Sequence, residues 1–232
     1  MVRLIIGAML ALPGPDLKPA GPPEAARQLA RSSCVGVVNA AKHERGSGVV
    51  IAARGAFLYV LTASHVVSGS DRLEVHLPAI NKDAKAKVVT EVDILIDGRT
   101  QDVALLRVSA GDVKVTPQPL ASTPPSGDEA FDALSAGFGD GAEPEVRAER
   151  VLARKLLRRA GGETWFAWET RERPDTGRSG GALIDAGGRL IGICSGTQEG
   201  KGYYTHVDEI RALLKKKNQG WLLEVAAEKG KK

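Results

Sequence analysis

Thr176-Gly177-Arg178-Ser179-Gly180-Gly181-Ala182-Leu183 places a serine among glycines, just ahead of an apolar run. Glycine at 177 and 180 removes the side-chain bulk that would block an approaching carbonyl group, and frees the backbone for a tight turn. On such a turn the amides of residues 177 to 179 can converge on one point, where charge developing on a carbonyl oxygen would be held. Ser179 is therefore a candidate nucleophile; the plainer reading of these residues is a loop of small polar side chains.

Two upstream segments favour the chemical reading. The apolar run from Phe57 to Ala63 reads as a buried strand that delivers His65 at its end, in Leu61-Thr62-Ala63-Ser64-His65-Val66-Val67. Imidazole suits a general base, because its proton exchanges near neutral pH. In Gln101-Asp102-Val103-Ala104-Leu105-Leu106 a carboxylate immediately precedes an apolar stretch. An acid so close to a core needs a partner, and the Nδ1–H of a histidine is one. His43 and His206 lack the strand-end setting, and Asp93 and Asp97 lack an apolar run directly behind them.

With His65, Asp102 and Ser179 in that chain order, the sequence resembles the trypsin-like serine peptidases from about Cys34 to Leu214. Gly46-Ser47-Gly48-Val49-Val50-Ile51 is similar to the family's strand before the histidine. Gly188-Arg189-Leu190-Ile191-Gly192-Ile193-Cys194-Ser195 is similar to the strand beside the specificity pocket, and Gly202-Tyr203-Tyr204-Thr205-His206-Val207 to the last strand. The wording around Asp102 and Gly137-Phe138-Gly139 most resembles the HtrA or Deg branch. The resemblance implies an all-β, chymotrypsin-like fold of two six-stranded antiparallel β-barrels with a C-terminal α-helix. It also implies a serine endopeptidase acting on polypeptides through an acyl-enzyme, with no cofactor. His65, Asp102 and Ser179 would be its catalytic residues, the Gly177 and Ser179 amides its oxyanion hole, and Ser195 a support for the buried aspartate.

Arg173, six positions before Ser179, falls where the family has its pocket floor, with Gly196 and Gly202 at the pocket rim. An arginine at that depth would favour an acidic side chain; in the other reading Arg173 faces solvent with Asp175 as its partner. Arg178 stands where trypsin-type zymogens carry an aspartate, and no Ile-Val-Gly-Gly start is present, so activity without that kind of cleavage is expected. No PDZ module of the sort usual in the HtrA branch is expected after the protease domain. Two other functions stay open on the residues alone: a protease-fold binding or chaperone module without turnover, and an acyl hydrolase acting on non-peptide esters.

Composition fits an enzyme built from short strands. The chain has 232 residues, and 27 glycines against 4 % aromatics suit strands and tight turns better than a helical bundle. The net charge of +4 is spread without interleaved aromatics, so nucleic acid is not an expected partner. The scattered histidines do not make metal-ligand spacing, and no metal is expected. Cys34 and Cys194 lie in apolar strand settings and read as buried thiols rather than a bridge. Leu4 to Leu12 form an apolar run behind Arg3, bounded by Pro13. That pattern reads as a secretory signal too short to span a bilayer, which implies a secreted or periplasmic protein; a Pro-rich leader is the other reading.

The expected organisation is a leader and flexible Pro-rich linker over 1–30, the protease domain over 31–226 and a basic tail over 227–232. Strands are expected near 34–40, 46–53, 57–63, 73–77, 86–95 and 103–108, then near 131–137, 146–156, 163–169, 182–185, 189–195 and 202–207. From Val207 on, Ile210, Leu213 and Leu214 recur at helical spacing. One stretch pulls both ways. Pro144 to Arg159 is rich in helix formers, yet a barrel needs a strand there to pair with Thr164-Trp165-Phe166-Ala167-Trp168, so a hairpin is expected.

Overall fold

A computed structural model describes residues 22–78, 87–139 and 143–228. The expected signal segment, and the basic tail from residue 229, lie outside the described residues.

The N-terminal lobe starts with helix α1 (Glu24–Ser33) and continues through β1 (Cys34–Asn39), β2 (Glu44–Arg54) and β3 (Phe57–Thr62). A single helical turn, α2 (Ser64–Val67), precedes β4 (Leu73–Leu77), β5 (Lys87–Val89), β6 (Val92–Gly98) and β7 (Val103–Ser109). These strands form one curled antiparallel sheet in the order β5-β4-β1-β2-β3-β7-β6. The stretch 86–95, expected as one strand, is two. Val92 N donates to Thr90 O at 3.0 Å in a tight reversal, and the halves go to opposite edges of the sheet. The lobe therefore has seven strands instead of six, with β5 and β6 at its edges.

The C-terminal lobe is a closed barrel of β8 (Phe131–Gly137), β9 (Glu145–Arg158), β10 (Thr164–Thr170), β11 (Ala182–Ile184), β12 (Leu190–Gln198) and β13 (Lys201–His206). β9 settles the conflict over 144–159 in favour of the strand. It pairs with β8 on one side and β10 on the other, so a helix there would strand the amides and carbonyls of both neighbours. Tertiary pairing overrides local helix propensity. The all-β chymotrypsin-like class thus stands, with one closed barrel and one curled sheet.

Helix α1 corrects the expectation of a linker up to residue 30. Its Ala26, Ala30 and Ser33 are buried against the body. Ser33 Oγ donates to Gln118 Oε1, and Gln118 Nε2 donates to Gly188 O at 2.7 Å, which ties the helix through the inter-lobe connector to the barrel lobe. Small alanines four apart let the helix lie close, and Pro22-Pro23 only sets where it starts. At the other end α3 (Val207–Lys216) and α4 (Trp221–Glu228) bury Ile210, Leu213, Leu214 and Leu222 in the apolar layer between the lobes.

His206 caps α3: its Nδ1 accepts from Asp208 N at 3.1 Å. The ring is 1 % exposed and lies on Trp168, and burial lowers its pKa to about 4. The unfolded chain takes that proton at about pH 6.5, the folded one only near pH 4. This group's contribution to stability is thus complete above the unfolded value and is lost as the pH falls toward the folded one, by about 3 kcal/mol in all. His206→Asn keeps a cap acceptor and removes the titration. Urea midpoints of the two proteins should converge on acidification from about pH 7.5 to about pH 5; parallel midpoints would clear His206 of this role.

Candidate active site

His65 and Asp102 come from the sheet lobe, and Ser179 from the barrel lobe. α2 starts one residue beyond β3, and Asn39 Nδ2 holds it by donating to Val66 O at 3.0 Å. Asp102 ends a turn just before β7, at φ +55, a left-handed conformation uncommon outside glycine, asparagine and aspartate. One carboxylate oxygen accepts from the His65 backbone N–H at 2.9 Å, while the other meets His65 Nδ1 at 2.8 Å. The carboxyl is nearly buried, whereas the imidazole is 47 % exposed. Its hydrogen bond to Asp102 raises the His65 pKa above the usual value, against the opposing effect of partial burial. With a proton on Nδ1, Nε2 is left with a lone pair facing the cleft.

The competing acids are engaged elsewhere. Asp93 pairs with Arg107, while Asp97 bonds Ser64 and Arg99.

The loop bearing Ser179 has the conformation its glycines suggested. Gly177 is at φ +86 and Gly180 at φ +84. A Cβ on Gly177 would run into the Gly139 carbonyl, and one on Gly180 into the Ser47 carbonyl and the Thr62 hydroxyl. Among the described residues, the Gly177 and Ser179 amides donate to no protein acceptor, so both are free for an incoming oxygen. Ser179 Oγ likewise makes no hydrogen bond there.

Ser47 holds the serine turn in place, a role that sequence reasoning passed over. From β2 in the other lobe, its Oγ donates to Gly177 O at 2.7 Å and accepts from Phe138 N at 2.9 Å. Its backbone N–H donates to Ser179 O at 2.7 Å. Arg178 N, on the same peptide as Gly177 O, donates to Asp175 O at 3.2 Å. The turn is thus clamped on both sides of the serine. The Gly-Ser-Gly motif was visible, but nothing in it indicated which backbone groups the hydroxyl would bond.

Arg178 turns away from Ser179 into the barrel, where its side chain is 2 % exposed. Nη2 donates to Ser135 Oγ at 2.7 Å, and Nη1 reaches the carbonyls of Gly137 and Glu145. Ser135 Oγ in turn donates to Glu149 Oε1 at 2.6 Å. Burial pushes the Glu149 carboxyl above the ordinary range.

Ser195 does not touch Asp102. Its Oγ shares a 2.8 Å hydrogen bond with Thr205 Oγ1, and Thr205 Oγ1 donates to Gln101 O at 2.5 Å. The β12 bulge at Ser195 turns the hydroxyl toward β13, so Ser195 supports the aspartate turn only through Thr205. Thr205 was not singled out in the sequence.

Arg173 is exposed and lines a cavity of about 250 Å³ together with Ser179 and Gly196. Asp175 is not its ion-pair partner, because Arg147 takes that carboxylate at 2.5 Å. Gly202 does not line this cavity. It is buried behind it, where a Cβ would meet Pro174 and the Glu172 carbonyl. Both cysteines are free and buried, as expected, with thiol pKa values pushed up to about 12. Among the described residues no cluster suits a metal.

A family model described as "Trypsin-like peptidase domain" matches residues 46–193, a span that contains the His65–Asp102 pair and the Ser179 turn. The chain belongs to the trypsin-like peptidase family. The peptidase is 30 % identical over 154 residues to a serine protease Do-like HtrA of Lactobacillus helveticus, covering 66 % of this chain and 36 % of that protein. It is 27 % identical over 148 residues to the serine endoprotease DegS of Haemophilus influenzae, covering 64 % and 40 %. The chain thus spans well under half the length of these curated relatives. Among solved structures, the trypsin-like fold is shared with the Rv3671c protease of M. tuberculosis in its active form, at TM-score 0.69 and 22 % identity, covering 92 % of this chain and 94 % of that one. A serine endoprotease of Yersinia pestis gives TM-score 0.64 at 20 % identity, covering 87 % and 66 %. The curated relatives it matches are HtrA- and DegS-type proteases, in keeping with the branch its motifs resemble.

Proposed function

We propose that the chain is a serine endopeptidase that cuts polypeptides by acyl transfer. The observation that carries this reading is the two-point grip of Asp102 on His65, set across the seam from a serine on a clamped, glycine-shaped turn. In this mechanism His65 Nε2 takes the Ser179 proton as Oγ attacks the scissile carbonyl. The carbonyl oxygen gains the negative charge and is held by the Gly177 and Ser179 amides. The imidazolium then gives its proton to the departing amine, and water repeats the sequence to release the acid. Asp102 takes up no proton at either step; it orients the ring and stabilises the imidazolium. Beyond Ile193 the β12 side facing away from β13 is no longer covered by β11, and an extended substrate can lie along Gly196 and Thr197 there.

Among the described residues no hydrogen bond joins Ser179 to His65; the proposed mechanism requires that bond in the substrate complex. A secreted or periplasmic location belongs to the same proposal and rests on the apolar run of residues 4–12; no described helix is long and apolar enough to cross a membrane.

The test is intact-mass labelling with a fluorophosphonate. One adduct per chain on the wild type, abolished by Ser179→Ala and by His65→Ala, is the expected result. A folded wild type that takes no adduct would favour a protease-fold binding module instead. Labelling together with turnover of short esters but not of casein would make it an esterase.

A further inference from the structure

We propose that the peptidase selects an acidic side chain on the residue that supplies the scissile carbonyl, and that Arg45 and Arg173 jointly read it. The proposal rests on the assignment of Ser179 as the nucleophile. The cavity beside Ser179 is lined from both lobes: Arg45 comes from β2, and Arg173 from the loop that leads to Ser179. A chain laid along Gly196 and Thr197 with its carbonyl at Ser179 sends that residue's side chain into this space. About 250 Å³ accommodates a glutamate side chain.

Charge decides what the cavity accepts. Its one carboxylate, Asp175, is already held by Arg147 at 2.5 Å. Among the described residues neither Arg45 nor Arg173 has an ion-pair partner. Two exposed arginines therefore line the cavity beside the nucleophile with no free carboxylate among its lining residues, and each carries a planar fork that fits a carboxylate. A basic substrate side chain would face repulsion without a free acid, and an apolar one would strip water from two cations.

A second cavity, of about 580 Å³ and lined by His65, has the same sign. It adds Lys42 and Arg159 against the single exposed acid Glu44, because Arg99 is paired with Asp97. Cations lining a cleft between low-dielectric walls focus the field and draw acidic segments to it.

The experiment uses matched peptides with Glu, Gln, Leu or Lys at that position, assayed on the full chain beside fluorophosphonate labelling. Wild type should favour Glu over Gln in kcat/KM by about ten- to a hundredfold, the weight of a hydrogen-bonded charge. The preference should shrink as salt rises. Within the double variant Arg45→Glu/Arg173→Glu the Glu-to-Lys ratio should invert; a ratio taken inside one variant is insensitive to a general loss of rate. Labelling of Ser179 with equal rates on Glu and Gln overturns this proposal alone. Absence of both label and cleavage overturns it together with the nucleophile assignment.

Discussion

Asp102→Asn should lower kcat by about ten-thousandfold with the fold intact, as in the general template for this triad. The geometry here says why. The carboxylate uses one oxygen for the His65 amide and the other for Nδ1. In asparagine the carbonyl oxygen must stay on the amide N–H, so the NH₂ group faces the ring and offers a proton where one was accepted. The imidazole then carries its proton on Nε2, and the lone pair that should receive the Ser179 proton is gone. A second signature follows from the pKa. Asp102 raises the pKa of His65, and the base works only when neutral, so activity rises with pH through that value. Without the carboxylate charge the residual activity should have its acid limb at lower pH. A kcat loss below about tenfold, or an unmoved acid limb, would remove Asp102 from the mechanism.

Arg178→Met should cost on the order of 3–5 kcal/mol, the range for removing one member of a buried charged set, and lower Tm by about 10 °C. Methionine replaces much of the stem volume but none of the donors. Ser135 Oγ and two carbonyls then lose the guanidinium as a donor, and Glu149, whose second oxygen is buried without a hydrogen-bond partner, loses one of the two arginines that offset its charge. Lysine should rescue little, because a single ammonium cannot span Ser135 and the paired carbonyls. The damage should reach the chemistry as well, since residue 178 lies between the Gly177 amide and the nucleophile. Differential scanning calorimetry and the phosphonate labelling rate, measured on the same samples, check both effects. A Tm shift of less than about 2 °C would mean the guanidinium is not structural.

The three residues of the proposed triad could be picked out because each sits in a contiguous motif whose local physics is peculiar: glycines around Ser179, a strand end at His65, an apolar run behind Asp102. The strands were legible where apolar alternation and turns agreed. What escaped depended on distance along the chain. Ser47 bonds a carbonyl 130 residues away, and Thr205 reaches Gln101 across 104. No window of sequence contains either relation. Arg178 showed in the sequence only as a departure from the zymogen aspartate, since only the barrel's interior reveals the acceptors that draw it inward. Helix α1 was hidden by the prolines before it, and the break at Thr90–Glu91 by β-formers on both sides.

The clamp of Ser47 on the serine turn, and of Thr205 on the aspartate turn, carries a consequence for the life of the molecule. Each half of the active site is finished by a hydrogen bond from the opposite lobe. A nascent chain with only its first lobe built therefore has a histidine and an aspartate but no nucleophile, and a loosely docked pair has a serine whose oxyanion amides are unaligned. In the proposed mechanism, then, the site is assembled only when the two lobes dock, and the serine turn takes its working shape together with the tertiary structure.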